Sequence, residues 1–84
     1  MKIDWKKINN KKDMQKAVLV VSRQMVADGV DAFDWDIHWD LYQSLSKDQQ
    51  DWYDDAKYAV QSAAVNGAHG GFDAMADVWG GMKL

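Results

Sequence analysis

Closely spaced carboxylates are the residues of this chain whose arrangement points to a chemistry. All 13 acidic residues are Asp, and none is Glu. Six of them fall three or four residues apart, or next to such a pair, on two predicted helices: Asp36, Asp40, Asp48, Asp51, Asp54 and Asp55. Side chains at these separations stand about 5–6 Å apart on a helix. The spacing therefore predicts rows of negative charge.

Rows of carboxylates can bind a basic surface. A row at this pitch resembles the charge density of a nucleic-acid backbone, roughly one charge per 1.7 Å of duplex axis. Such a surface fits a basic groove that is built for DNA or RNA. Aromatic side chains dominate the affinity of many protein interfaces. We therefore expect Trp39 and Tyr53 to be the apolar anchors of a partner-binding surface formed with the six aspartates.

The same charges have two plain structural interpretations. The aspartates can simply be the solvated side of amphipathic helices. Alternatively, the chain can neutralise them itself, because residues 1–27 carry a net charge of +5 and residues 28–55 carry −8. Whether the lysines face the aspartates decides between a binding surface and a self-neutralised fold.

Metal binding and catalysis find no support in the sequence. The Asp-x-Asp-x-His-x-Asp run over 34–40 resembles the start of a calcium loop, but Trp39 occupies the position of the turn glycine and Leu45 that of the bidentate acid. The chain has two His and no Cys. No serine lies in a G-x-S-x-G elbow. We expect no metal, no cofactor and no enzymatic activity.

Two other partners fit the charge pattern. The basic half of one chain could dock on the acidic half of a second copy, which would make a homodimer. The basic residues could instead bind nucleic acid, with Trp5 stacking on a base; they are Lys2, Lys6, Lys7, Lys11, Lys12, Lys16 and Arg23. We favour direct nucleic-acid binding least, because the acidic block would repel phosphates.

The elements that must position these residues are predicted to be helices. The chain has no Pro, and nothing else forbids helix. We expect one all-α domain over 1–84, a small compact bundle with a basic arm over 1–9 and a tail over 80–84. Its three main helices are predicted at about 11–28, 36–45 and 47–66, with a short C-terminal helix at about 72–79.

Capping residues and apolar spacing support two of these helices. Asn9 or Asn10 can cap the first one, and Gly29 lies where a C′ glycine belongs. That helix has apolar residues on more than one side, so it is either central to the fold or paired with another chain. Ser46 and Gln49 form a predicted capping box at the start of the third helix.

Residues 30–41 allow two interpretations. Apolar and polar residues alternate from Phe33 to Leu41, which is typical of a half-buried strand. A helix that begins near Asp36 competes, and we favour it because Asp is a poor strand residue. In a strand, Asp34, Asp36 and Asp40 would share one face, whereas a helix separates Asp34 from the other two.

The functional expectation follows from charge rather than from a motif. The longest apolar run, Ala17–Val21, is too short to span a bilayer, so we expect a cytoplasmic protein without a membrane partner. In general character the whole chain is similar to the small, Cys-free, acidic accessory proteins that phages and mobile elements encode. That likeness implies a non-enzymatic inhibitor in the host cytoplasm. It would mimic nucleic acid and occlude a basic groove of a nucleic-acid-binding host protein, such as a CRISPR effector.

Overall fold

Helices form the architecture of this chain. A computed structural model describes residues 3–31 and 34–79, and for 66–70 and 73 it describes the backbone alone. The elements are a 3₁₀ turn Trp5–Lys7 and the helices α1 Lys11–Ala27, α2 Trp39–Ser44 and α3 Lys47–Val78. The described ranges contain no β-strand, so the predicted all-α class is confirmed. Lys2, Phe33 and the tail over 80–84 lie outside the described residues.

Helix α1 has the ends that its sequence predicts. The Asn10 side chain accepts a hydrogen bond from the Asp13 backbone N–H at 2.8 Å and caps the first turn. After the helix, Gly29 adopts a φ of 89°, a conformation that costs glycine little. The Gly29 N–H then bonds to the Val26 carbonyl, and the N–H of Val30 bonds to Met25. These two bonds form a Schellman motif, which satisfies the last carbonyls of the helix.

Helix α2 begins later than predicted. The predicted helix started at Asp36, but residues 35–38 are not helical, and α2 starts at Trp39. The Ile37 N–H donates to the Asp36 side chain at 2.8 Å and to the Tyr53 hydroxyl at 3.2 Å. A helix that starts at Asp36 would compete with these two hydrogen bonds. Short Asp side chains readily bond to nearby backbone N–H groups in non-helical conformations, and that local bond is the one that forms here. The segment is therefore neither the strand nor the full helix that the sequence allowed.

Helix α3 begins at the predicted capping box. Ser46 accepts from the Gln49 N–H at 3.1 Å, and the Gln49 side chain accepts from the Ser46 N–H at 2.8 Å. The side-chain Nε2 of Gln49 also donates to the backbone carbonyls of Lys6 and Ile8, at 3.0 and 2.7 Å. One side chain thus caps α3 and attaches the N-terminal arm to it.

The second half of α3 differs from the prediction. Helical structure continues to Val78, although the sequence predicted an end at 66 and a separate helix at 72–79. A straight helix of 32 residues would be about 48 Å long, whereas the longest dimension of the molecule is 32 Å. A Cβ atom on Gly71 would overlap the carbonyl of Ala63, eight residues earlier in the same helix. Helix α3 is therefore bent between these residues, and the predicted bundle of three main helices is not confirmed.

The core lies between α1 and the two parts of α3. Its fully buried side chains come from both helices: Met14, Val18, Leu19, Ser22, Val60 and Phe72. Leu19 and the half-buried Val26 lie on the second apolar side of α1, so that side is covered within one chain. Of the two explanations for the two-sided helix, a central position in the fold is the one that the structure shows.

Candidate acidic and aromatic surface

The six predicted aspartates are all exposed and come from three neighbouring segments. Asp36 lies in the loop before α2, Asp40 lies in the first turn of α2, and the other four lie in the first three turns of α3: Asp48, Asp51, Asp54 and Asp55. The opposite side of α3 carries the buried side chains Tyr53, Ala56 and Val60. The amphipathic character of α3 therefore directs its aspartates away from the core.

Trp39 has the exposure that a contact anchor needs. It is 64% exposed at the start of α2, although it is a large apolar side chain. Its ring stacks on Tyr42, one helical turn later, with 5.7 Å between ring centroids and an interplanar angle of 18°. This stacking fixes the ring while one of its faces stays open to solvent.

Tyr53 does not lie on this surface, contrary to the predicted anchor role. It is 2% exposed and its ring packs against Trp5 and Trp35 with edge-to-face geometry. Its hydroxyl donates to the Asp36 carboxylate and accepts from the Ile37 N–H. Burial, followed by the hydrogen bond to Asp36, raises the pKa of this hydroxyl. Tyr53 therefore positions Asp36 from the core side, and its buried ring does not form an exposed anchor.

Tyr42 is a member of the surface that the sequence reasoning missed. Its hydroxyl donates to Asp54 at 2.7 Å, which joins α2 to α3. This hydrogen bond, together with burial and the charges of Asp54, Asp51 and Asp36, raises the Tyr42 pKa from 10.0 to about 12. Its position three residues after Trp39 on a predicted helix was the signal that could have indicated it.

Five aromatic rings connect the core to this surface. Trp5 and Trp35 stack with centroids 6.5 Å apart in the core, and both contact Tyr53. Tyr53 lies 5.9 Å from Tyr42, and Tyr42 contacts the exposed Trp39. The Trp35 indole N–H donates to buried Ser22 on α1 at 2.9 Å, which holds the inner end of the chain of rings. The exposed tryptophan is thus supported through continuous ring contacts.

A cleft opens where these groups meet. It has a volume of about 230 Å³ and is lined by Asp36, Ile37, Trp39, Tyr42, Tyr53 and Asp54. Two carboxylates and three aromatic rings therefore share one small concave site. None of these side chains was predicted from sequence to form a cleft, because its walls come from separate segments of the chain.

Lys57 is a buried cation next to this site, and no pattern in the sequence indicated its role. Its ammonium group donates to the Trp35 carbonyl and lies 3.9 Å from the centroid of the Trp35 ring. Burial lowers the Lys57 pKa, and the charge of Asp36 opposes that shift. Lys57 therefore belongs to the support under the surface.

The described lysines of the N-terminal half form no direct ion pair with the six aspartates. Lys6, Lys7, Lys11, Lys12 and Lys16 are all exposed. Lys7 pairs with Asp4 at 3.8 Å within the arm, and Lys47 pairs with Asp51 at 3.4 Å within α3. In the part of the chain that the structure describes, no ion pair within 4 Å joins these five lysines to the six predicted aspartates. These ion pairs therefore do not provide the neutralisation of the acidic block by the basic segment that the sequence allowed.

The described residues form neither a metal-binding cluster nor a helix that could cross a membrane. Among the described side chains, no three His, Cys, Asp or Glu residues are grouped in a way that could hold a metal ion. His38 instead caps α2 by accepting from the Asp40 N–H at 3.2 Å. Within residues 3–31 and 34–79, no helix has both the length and the apolar character that crossing a bilayer requires.

Comparison with known proteins found no matching family model, no matching curated protein and no matching solved structure.

Proposed function

We propose that this chain is a non-enzymatic interaction protein whose acidic face binds a basic groove of a nucleic-acid-binding protein. By acidic face we mean the six aspartates together with Trp39. The observation that carries the proposal is that these carboxylates are exposed beside an exposed Trp, and that no ion pair within 4 Å joins them to the described lysines of α1. The natural partner is a host defence nuclease such as a CRISPR effector. Phage or mobile-element origin and action in the host cytoplasm belong to the same proposal.

The charge spacing on α3 supports mimicry of a nucleic-acid strand. Four aspartates lie within the eight residues 48–55. Eight helical residues rise about 12 Å, which gives one carboxylate per about 3 Å of axis. One strand of duplex DNA carries one phosphate per about 3.4 Å. A groove that neutralises phosphates at that interval can therefore accept this part of α3.

Exposed apolar side chains next to the carboxylates provide the anchors that charge alone lacks. Trp39 lies at one end, and Tyr58 is 76% exposed on α3. Tyr58 is four residues after Asp54 and three after Asp55, so it shares their face. Tyr58 takes the anchor position on α3 that the buried Tyr53 cannot fill. Aromatic residues flanked by charge are typical of the centre of an interface.

Release of DNA from effector nucleases tests this function. The chain is added to a panel of purified CRISPR effectors that hold a fluorescent duplex, at low and high salt. We expect the native chain to release duplex from at least one effector, and less at high salt because screening weakens the contact. The double variant Asp51→Lys plus Asp55→Lys should lose this activity, since it reverses charge on the exposed face of α3.

The matched control is Asp4→Lys plus Asp77→Lys, which changes net charge equally at two exposed positions outside the acidic face. It should release duplex as the native chain does. Equal activity of both double variants, or no release from any effector, would contradict the proposal.

Self-association, in which the basic half of one chain docks on the acidic half of a second copy, is the alternative function. The second apolar side of α1 no longer supports it, because Leu19 on that side is fully buried within the chain. Light scattering at low and high salt separates the two functions. A monomer at every salt concentration rules self-association out, whereas a dimer that dissociates in salt would favour it over the proposed heterologous partner.

A further inference from the structure

The cleft beside Trp39 has the size of one side chain. Its volume is about 230 Å³, below the roughly 300–1,000 Å³ of pockets for drug-sized ligands. At about 30 Å³ per water molecule, this volume equals that of about eight waters. A planar or compact head group with part of its stem fits this space, and a nucleotide does not.

The polar lining of the cleft is anionic, and part of it is still available for a ligand. Asp36 uses Oδ1 for the Ile37 N–H and the Tyr53 hydroxyl, and Asp54 uses Oδ2 for the Tyr42 hydroxyl. The other oxygen of each carboxylate accepts no hydrogen bond from the described residues. The two tyrosines thus orient two carboxylates that each keep one acceptor, and an acceptor pair of this kind selects a cation with several donors.

The apolar lining also selects a cation. Trp39 and Tyr42 present stacked aromatic rings, and a cation close to an aromatic face is attracted by the ring quadrupole. The raised pKa of Tyr42 also indicates an anionic site, because the surrounding carboxylates disfavour a further negative charge on its hydroxyl. The chain's own Lys57 does not fill the cleft, since its ammonium group is directed to the carbonyl and ring of Trp35.

We propose that this cleft binds the guanidinium group of an arginine side chain presented by the basic partner. The inference rests on the proposed function, because it names the group by which that partner is held. A guanidinium is planar, stacks on aromatic rings and carries five donors in a fixed fork. One edge can reach Asp36 and the other Asp54 while its face lies against Trp39. An ammonium group has no plane to stack and places its charge at one point.

A small-molecule titration tests the cleft without any partner protein. The ¹⁵N-labelled full chain is titrated by NMR with N-acetyl-arginine-methylamide, and shifts of the Trp39 indole N–H and the Ile37 backbone N–H are followed. We expect saturable shifts with a Kd on the order of 1 mM, as suits so small a ligand. The lysine analogue should bind more weakly. The citrulline analogue, a neutral copy of arginine, should cause no saturable shift.

Variants locate the site. Trp39→Ala and Asp54→Asn should each weaken arginine binding by at least about fivefold. Val65→Ala shortens an exposed apolar side chain of α3 outside the cleft, so it should bind as the native chain does. Dispersed NMR spectra establish that each variant is folded, and Trp39→Ala removes a side chain that is 64% exposed rather than part of the core.

The outcomes separate this inference from the function on which it rests. No arginine-dependent shift at the cleft, or equal shifts with citrulline, overturns the guanidinium site even if the chain still releases duplex from a nuclease. Arginine binding that Trp39→Ala and Asp54→Asn abolish supports the site even if no effector in the panel releases its duplex. Binding that both variants leave unchanged places the arginine elsewhere and overturns the inference.

Discussion

At the scale of single residues, two tyrosine hydroxyls hold the acidic face in place. Tyr53 joins Asp36 and the Ile37 N–H from the core, and Tyr42 joins Asp54 across two helices. Composition alone indicated an acidic surface, but these two bonds decide which carboxylates are fixed and where. Both hydroxyls can be removed without removing a ring, which makes their contributions measurable.

Tyr53→Phe keeps the buried ring and deletes its hydroxyl. We expect the free energy of unfolding to fall by about 1–2 kcal/mol, because a buried hydrogen bond to a charged group is lost. The Ile37 N–H keeps its bond to Asp36, so the loop has one remaining tie. Urea denaturation measures the change. Tyr58→Phe is the matched control at a 76% exposed position, and a loss there as large as at Tyr53 would contradict the assignment.

Tyr42 predicts a pH dependence at high pH. Its pKa is about 12 in the folded chain against an ordinary 10.0, so folding retains its proton. The stabilisation is complete below pH 10 and is lost as the pH rises from 10 to 12, because the unfolded chain releases the proton first. The unfolding free energy of the native chain should therefore fall more steeply over this range than that of Tyr42→Phe.

The comparison with Tyr42→Phe isolates one group. Tyr53 also has a raised pKa and Lys57 a lowered one, so both change stability with pH, but the native chain and the variant share them. Identical pH profiles for the two proteins would show that the bond between Tyr42 and Asp54 does not form in solution.

At the scale of elements, the bend in α3 is the feature that gives the fold its closed core. Phe72 is fully buried and Ala76 is 4% exposed, and both join the core that α1 forms with the first half of α3. Only a bend can return them there. The close contact late in this helix is between Ala63 and Gly71 of the helix itself.

Gly71→Ala tests the bend through the sign of its effect. In a straight, exposed helix this change stabilises by about 1 kcal/mol, because Ala is the better helix former. At the contact with the Ala63 carbonyl we expect a loss of about 1–3 kcal/mol, since the added methyl group forces the backbone apart. Thermal or urea unfolding measures it. Ser62→Ala, at an exposed position of α3, should stay within about 0.5 kcal/mol. A stabilising Gly71→Ala would contradict the close approach.

Elements were predictable from sequence where local bonds determine them. Asn10 and Gly29 mark the ends of α1, and Ser46 with Gln49 marks the start of α3, because caps involve neighbours in the chain. The predicted start of α2 was wrong because the Ile37 N–H bonds to the hydroxyl of Tyr53, 16 residues away. The buried Tyr53 and the bend in α3 likewise depend on distant packing, which a pattern of nearby residues does not contain.

At the scale of the whole molecule, charge is separated rather than cancelled. The sequence showed a basic half and an acidic half but left open whether they pair. Among the described residues, Lys7 pairs with Asp4 in the N-terminal arm and Lys47 pairs with Asp51 within α3, and no ion pair within 4 Å joins the described lysines of the arm and α1 to the six aspartates. The described lysines of α1 therefore do not cover the acidic face through direct ion pairs, which is the property that a surface for a basic partner requires.

The dependence of stability on salt shows whether the basic and acidic halves attract one another within the fold. Urea unfolding is measured in sodium chloride from about 0.01 M to about 0.15 M, over which the Debye length falls from about 30 Å to about 8 Å. We predict that the unfolding free energy of the native chain rises with salt, because screening relieves repulsion among the aspartates. The rise should be smaller for Asp51→Lys plus Asp55→Lys. A fall in the native chain's stability over the same range would show that the lysines and aspartates attract one another within the fold, and would contradict an acidic face left free for a partner.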